Sequence, residues 1–137
     1  MSSLSLGLAR QFIDAALDKA QKDYGRPVCV AVCDAHGLLV AFARMEGSPV
    51  RSVAISQGKA YSAARMGVTT AAFLERLKRE GIEVGYFCDP QLTALPGGSP
   101  LKDASGALLG GIGVSGLHSS EDQVITDHVA ALGGAGR

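Results

Sequence analysis

Apolar positions along the chain follow two rhythms. Over residues 4–24, Leu8, Phe12, Ile13, Ala16 and Leu17 recur at helical spacing, with Arg10, Asp14, Lys19 and Lys22 elsewhere. Gly25, followed by Pro27, ends that helix. Residues 28–33, Val-Cys-Val-Ala-Val-Cys, are apolar without alternation, which predicts a central strand buried on both faces. Asp34-Ala-His-Gly37 reads as a turn, and residues 38–45 as the second strand of a hairpin. Gly47-Ser48-Pro49 punctuates, with Ser48 as an N-cap and Pro49 at the first position of a helix reaching Met66. That helix is rich in small residues, among them Ala54, Gly58, Ala60, Ala63 and Ala64, and Gly67 ends it. Thr69 or Thr70 caps a shorter helix over 71–80, closed by Gly81.

The next stretch, 82–101, has no clear period. Residues 84–87 read as a short extended piece, and Asp89-Pro90 and Pro96-Gly-Gly-Ser-Pro100 as loop or turn signals. A second hairpin turn at 102–106 leads to a strand over 107–114. Ser120-Glu-Asp-Gln123 matches the capping box, so a last helix runs from there to about Leu132, with 133–137 as a frayed tail. Hairpins rather than crossovers join the strands. This predicts an α+β fold, an antiparallel sheet flanked by helices, in a single domain over residues 1–137 with no internal repeat.

Composition narrows the packing. Of 137 residues 47% are hydrophobic and 19% charged; there is no Trp, and Phe and Tyr number only 4 and 3. The core must therefore be built from Ala, Val, Leu and Ile, with helices close to the sheet. Basic and acidic residues balance at 13 each. The densest cluster, Glu75-Arg76-Leu77-Lys78-Arg79-Glu80, is internally balanced, so a phosphate-tracking surface is missing and nucleic acid is not an expected partner. Zero net charge also removes one barrier to self-association. The start lacks a basic stretch followed by an apolar one, and no apolar run approaches the ~18 residues of a membrane span. The expectation is a cytoplasmic protein with no membrane partner. Cys29, Cys33 and Cys88 have no zinc spacing, and two cysteines four apart in one strand cannot bridge. They read as small apolar residues suited to a reducing compartment.

Gly111-x-Gly113-x-x-Gly116 matches the dinucleotide fingerprint letter for letter. A Rossmann site needs a second strand carrying an acidic residue about 20 positions on. Here one helix and a tail consume all the residues after Gly116. The glycines start inside the predicted strand, where they thin it so that a helix or ligand can approach.

Few residues could carry chemistry. Arg44 ends an otherwise apolar strand, and Lys59 sits mid-helix among small residues. Each is either a surface charge or the lining of a cavity. Arg supplies a planar fork for a carboxylate, and Lys a point charge that steadies an enolate or serves as a base. Gly97 and Gly98, between prolines, bare backbone N–H groups that could cradle an anion, or form only a tight connection. Tyr61 and Tyr86 line a pocket or pack in the core. His36, His118 and His128 show no metal-ligand spacing, although any could be an axial haem ligand. No nucleophile elbow surrounds Ser115 or Ser119. Glu121 and Asp122 are accounted for by the helix N-terminus they occupy.

Five segments, in order, resemble one family: Val30-Ala-Val-Cys-Asp34-Ala-His-Gly37, Arg44-Met45-Glu-Gly47, Gly58-Lys59-Ala60-Tyr-Ser-Ala63-Ala64, Pro96-Gly-Gly-Ser-Pro100, and Gly111-Ile-Gly-Val-Ser-Gly116 with Glu121-Asp122. The chain resembles the GlcG/HbpS-like proteins, related to the C-terminal part of PduO. The resemblance implies a profilin-like fold and assembly into dimers or larger rings. Some relatives bind haem or a corrinoid; others sit beside genes of glycolate, diol or aromatic catabolism. It leaves three readings. In the first the chain binds haem or a related tetrapyrrole, in a pocket lined by Arg44, Lys59, Gly97, Gly98 and Tyr61, with the two cations pairing with propionates. In the second it is a tautomerase, isomerase or lyase on a small carboxylated catabolite, held by Arg44 while Lys59 moves a proton. In the third it is an assembly subunit without ligand.

Overall fold

The unalternating apolar run becomes β1 (Cys29–Asp34), and in the computed structural model, which describes residues 3–135, it is an interior strand buried at every residue but its last. It pairs antiparallel with β2 (Leu39–Arg44) on one side and β4 (Leu108–Ser115) on the other. A further strand, β3 (Gly98–Lys102), pairs antiparallel with β4, so the sheet order is β2-β1-β4-β3.

Alternation sends side chains to two different cores. Val28, Val30, Val32, Ile112 and Val114 pack against Phe12, Ile13 and Ala16 of α1 (Leu6–Asp23) and Ile125 and Val129 of α4 (Ser119–Ala135). Ala31 and Cys33 face the other way, onto Ala60 and Ala64 of α2 (Ser52–Met66). This second core is thin because glycine lines it. A Cβ added to Gly111 would overlap the Ala60 carbonyl, and one on Gly113 would overlap the Ser56 carbonyl. The glycine strand is therefore a bed for α2, as its position inside a strand predicted.

The hairpin turns share one construction. Asp34 Oδ1 accepts the N–H groups of His36 and Leu38, and Asp103 Oδ1 those of Ser105 and Ala107. Gly37 (φ +90°) and Gly106 (φ +88°) supply the left-handed residue each turn needs. This local repeat was not visible as a sequence period.

Several expectations need correction. Residues 98–102 form a strand, not a loop; Pro100 is tolerated there because β3 is an edge. Residues 84–87 form a 3-10 turn instead of an extended piece, after α3 (Thr70–Glu80), whose cap is Thr69. Ser48 does not cap α2: its hydroxyl donates to the Met45 carbonyl, and the helix starts at Ser52. The capping box at 120–123 does not form either. Glu121 accepts the His118 N–H, while Gln123 is drawn into the interior. The last helix continues to Ala135; the expected tail at 136–137 lies outside the described residues. Among the described residues no helix is long and apolar enough to cross a membrane.

The bed makes a sharp prediction. Gly113→Ala should lower unfolding stability by about 1–3 kcal/mol through overpacking. Gly7→Ala, whose added Cβ meets nothing, should be neutral or stabilising by up to about 1 kcal/mol. Urea unfolding of both variants checks the contrast.

Candidate functional site

Packing α2 so closely on β4 carries Lys59 inside, where it is only 1% exposed. Its ammonium donates to the Val114 carbonyl (2.8 Å) and to Asp122 Oδ2 (3.1 Å) of α4. Asp122 is also buried, and its Oδ1 accepts the Leu117 N–H at 3.1 Å. Burial dominates both titrations. It lowers the Lys59 pKa from the ordinary 10.5 and raises that of Asp122 from 3.8, each partner opposing the other's shift.

Gly97 and Gly98 meet Lys59 here. A Cβ on Gly97 would come within 2.6 Å of Lys59 Nζ, and Gly97 adopts φ +125°. Their N–H groups are not bare. Gly97 donates to Gln123 Oε1 (2.7 Å) and Gly98 to Thr70 Oγ1 (2.9 Å), while Gln123 Nε2 donates back to the Gly98 carbonyl (2.9 Å). The glycines make room for the buried pair and do not present free donors to an anion.

Arg44 is not part of this cluster. It is exposed at the end of edge strand β2, opposite Cys29, which pairs in turn with Ser115. Two strand spacings put it about 10 Å from Ser115 across the sheet. Tyr61 lies elsewhere on α2. Its hydroxyl donates to Asp89 Oδ2 at 2.5 Å, a bond that raises its pKa and lowers that of Asp89, and the Arg65 guanidinium sits 5.5 Å from its ring centre. Gly37 packs beneath that ring, where any side chain would collide with it.

Among the concavities against α2, two matter for the site. A groove of about 500 Å³ lies beside β2, walled by Leu38, Leu39, Val53, Ala54 and Tyr61. A smaller cleft of about 250 Å³ lies where the first turns of α2 and α4 meet, walled by Lys59, Asp122, Ser52, Ser115, His118 and Arg51. The sequence reading missed Asp122 as a partner because a carboxylate in a first helical turn has a sufficient local explanation. Ser115 was judged only as a nucleophile. The usable signal was a lysine amid small residues, which demands an acceptor wherever its helix lies close to a sheet.

This architecture, an antiparallel four-stranded sheet with helices on both faces and a buried Lys–Asp pair beneath one of them, defines an α+β class of small helix-flanked sheets. The HbpS-like family, described as haem degrading protein HbpS-like, matches residues 4–131, and the chain belongs to it. It is 35% identical over 112 residues to Protein GlcG of Escherichia coli strain K12, covering 82% of this chain and 81% of that protein. A double mutant of Streptomyces reticuli HbpS superposes with a TM-score of 0.85 at 31% identity, covering 96% of this chain and 88% of that one. The PduOC:Heme complex superposes at 0.83 with 28% identity, covering 95% and 94%.

The ion pair yields a test. Lys59→Met or Asp122→Asn alone should cost about 3–5 kcal/mol, because each strands a buried partner, whereas Lys59→Met with Asp122→Leu should return close to wild type. The folded state holds the Lys59 proton less tightly than the unfolded one, so wild-type stability should rise with pH from the folded pKa toward 10.5. Asp122 works oppositely: its folded pKa lies above 3.8, so stability should fall as pH climbs from 3.8 through the folded value. Urea midpoints across pH should show both slopes in the wild type and neither in the double variant.

Proposed function

We propose that the chain binds a flat, carboxylated ligand of the haem type in the groove between α2 and β2. The groove itself carries the reading. It falls in the roughly 300–1,000 Å³ range of small-molecule and cofactor sites, and its walls are mainly apolar. Leu38 and Leu39 stand 66% and 50% exposed on its β2 side. An apolar macrocycle would cover them, which a water-filled groove does not. The cleft holding Lys59 falls below that size range.

The residues present fit such a group. Arg65, beside Tyr61 and against Gly37, is the cation for its carboxylates, while Arg44 stands at the far end of β2, outside the groove's walls. Lys59 is already committed to Asp122. Turn residues Gly37 and Leu38 close one end of the groove, and His36 in the same turn borders a different concavity, with Asp34 and Leu109. When bound, haem supplies an iron centre for ligand or electron chemistry; the chain supplies the apolar wall and the Arg65 cation at its edge. The family's description and the haem complex of a relative support the same reading. The free edge of β2 and zero net charge suit assembly with further copies, and three free cysteines suit a reducing cytoplasm.

A catalytic reading, with Lys59 moving a proton on a small carboxylated metabolite, draws on one observation: its amine, held down by burial, forms part of a polar cleft. That reading requires the Lys59–Asp122 pair to open.

Adding haem to the protein at micromolar concentration should give a shifted Soret band that saturates near one haem per chain. Leu39→Asp should weaken binding by about tenfold or more, and Arg65→Gln should weaken it several-fold. An unshifted spectrum defeats the proposal, and a band indifferent to both variants places the ligand elsewhere.

A further inference from the structure

The small cleft has features that stability alone does not account for. Arg51 occupies the N-cap position of α2, a helix with no side-chain cap and no acidic residue in its first turn. A cation there opposes the helix dipole, so the local arrangement is one that stability disfavours. Facing it across the cleft is the first turn of α4, whose own positive end is already met by Glu121 and Asp122. Between the two lie the hydroxyls of Ser52 and Ser115, with Ser115 donating to Ser52 at 3.2 Å, and the hydroxyl of Ser119. Behind them lies the Lys59 ammonium, which has three donors and spends two, on Val114 and Asp122. Asp122 is the one carboxylate in the wall, and Lys59 neutralises it. The excess charge is therefore Arg51's, and it is positive.

Size and polarity restrict the occupant further. The cleft, about 250 Å³, equals roughly eight waters at ~30 Å³ each. Ile55, Leu95 and Leu117 also line it. A purely inorganic oxyanion would leave those apolar walls against water, whereas a short carbon chain would cover them.

We propose that this cleft is a binding site for a small organic carboxylate, of the size of a two- to four-carbon keto, hydroxy or dicarboxylic acid. Arg51 grips the carboxylate, the hydroxyls of Ser52 and Ser119 donate to it while Ser115 holds Ser52 in place by donating to its oxygen, and the carbon chain lies on Ile55 and Leu95. The site is separate from the α2–β2 groove and stands whether or not haem binds there.

Titrating ¹⁵N-labelled protein with pyruvate and oxalate, and with inorganic phosphate for comparison, tests this. The amides of Ser52, Ser115 and Ser119 should shift and saturate below ~10 mM of at least one carboxylate. Arg51 is exposed, so Arg51→Gln should fold normally and weaken binding by about tenfold. Ser115→Ala should weaken it several-fold, and Arg44→Gln, outside the cleft, should leave it unchanged. No saturable shift with either carboxylate overturns the proposal. So does an Arg51→Gln protein that binds as tightly as wild type, or phosphate binding as tightly as the carboxylates. A protein that fails the haem titration but meets these conditions separates the two sites.

Discussion

Helix α2 lies on β4 backbone against backbone, and the other placements depend on that approach. Gly111 and Gly113 have no side chain to hold the helix away, and Ala60 and Ala64 answer them with methyl groups. Such contact gains dispersion from closely packed backbone atoms. It also removes the space into which a long side chain on that side could reach solvent. Lys59 cannot snorkel out, so its charge must be met inside.

Meeting it organises half the molecule. The Val114 carbonyl is available because the chain at Gly97 turns its own N–H toward Gln123 instead of continuing the ladder. That turn needs φ +125°, hence glycine. Gln123 in turn bonds the Gly98 carbonyl and Asp127, and Thr70 takes the Gly98 N–H. The buried ammonium thus ties α2 to β4 and α4, and Gln123 beside it ties α4 to β3, through groups that each have a partner. Among the described residues no buried side-chain nitrogen or oxygen is left without one. In a low-dielectric interior such a network is costly to leave half made, which makes the arrangement specific.

Legibility from sequence divided along the same line. The strands β1, β2 and β4 and the helices were readable because their periods and their Gly, Pro and Thr punctuation are local. The family was readable from five ordered segments, and the match over residues 4–131 agrees. What escaped was set by tertiary context. Pro100 sits in a strand because β3 is an edge, and Gln123 leaves the capping box because two glycine backbones need it. Lys59 was singled out correctly as unusual, but its pairing with Asp122 spans 63 positions, and no spacing rule covers that. Arg44 was joined to it by chemical plausibility alone, and the sheet register keeps it outside the cleft.

The α2–β2 groove and the Lys59 cleft share one wall, the tightly bedded helix α2. Val53, Ala54 and Tyr61 face the groove, while Ser52, Ile55 and Lys59 face the cleft, within ten residues of α2. A ligand in either proposed site would press on the same helix. Because glycine beds α2 against β4 without slack, the helix cannot yield by sliding; a shift large enough to matter would have to open the Lys59–Asp122 pair. Any communication between the sites would therefore run through that ion pair, and its two buried charges set the energy such a change must overcome.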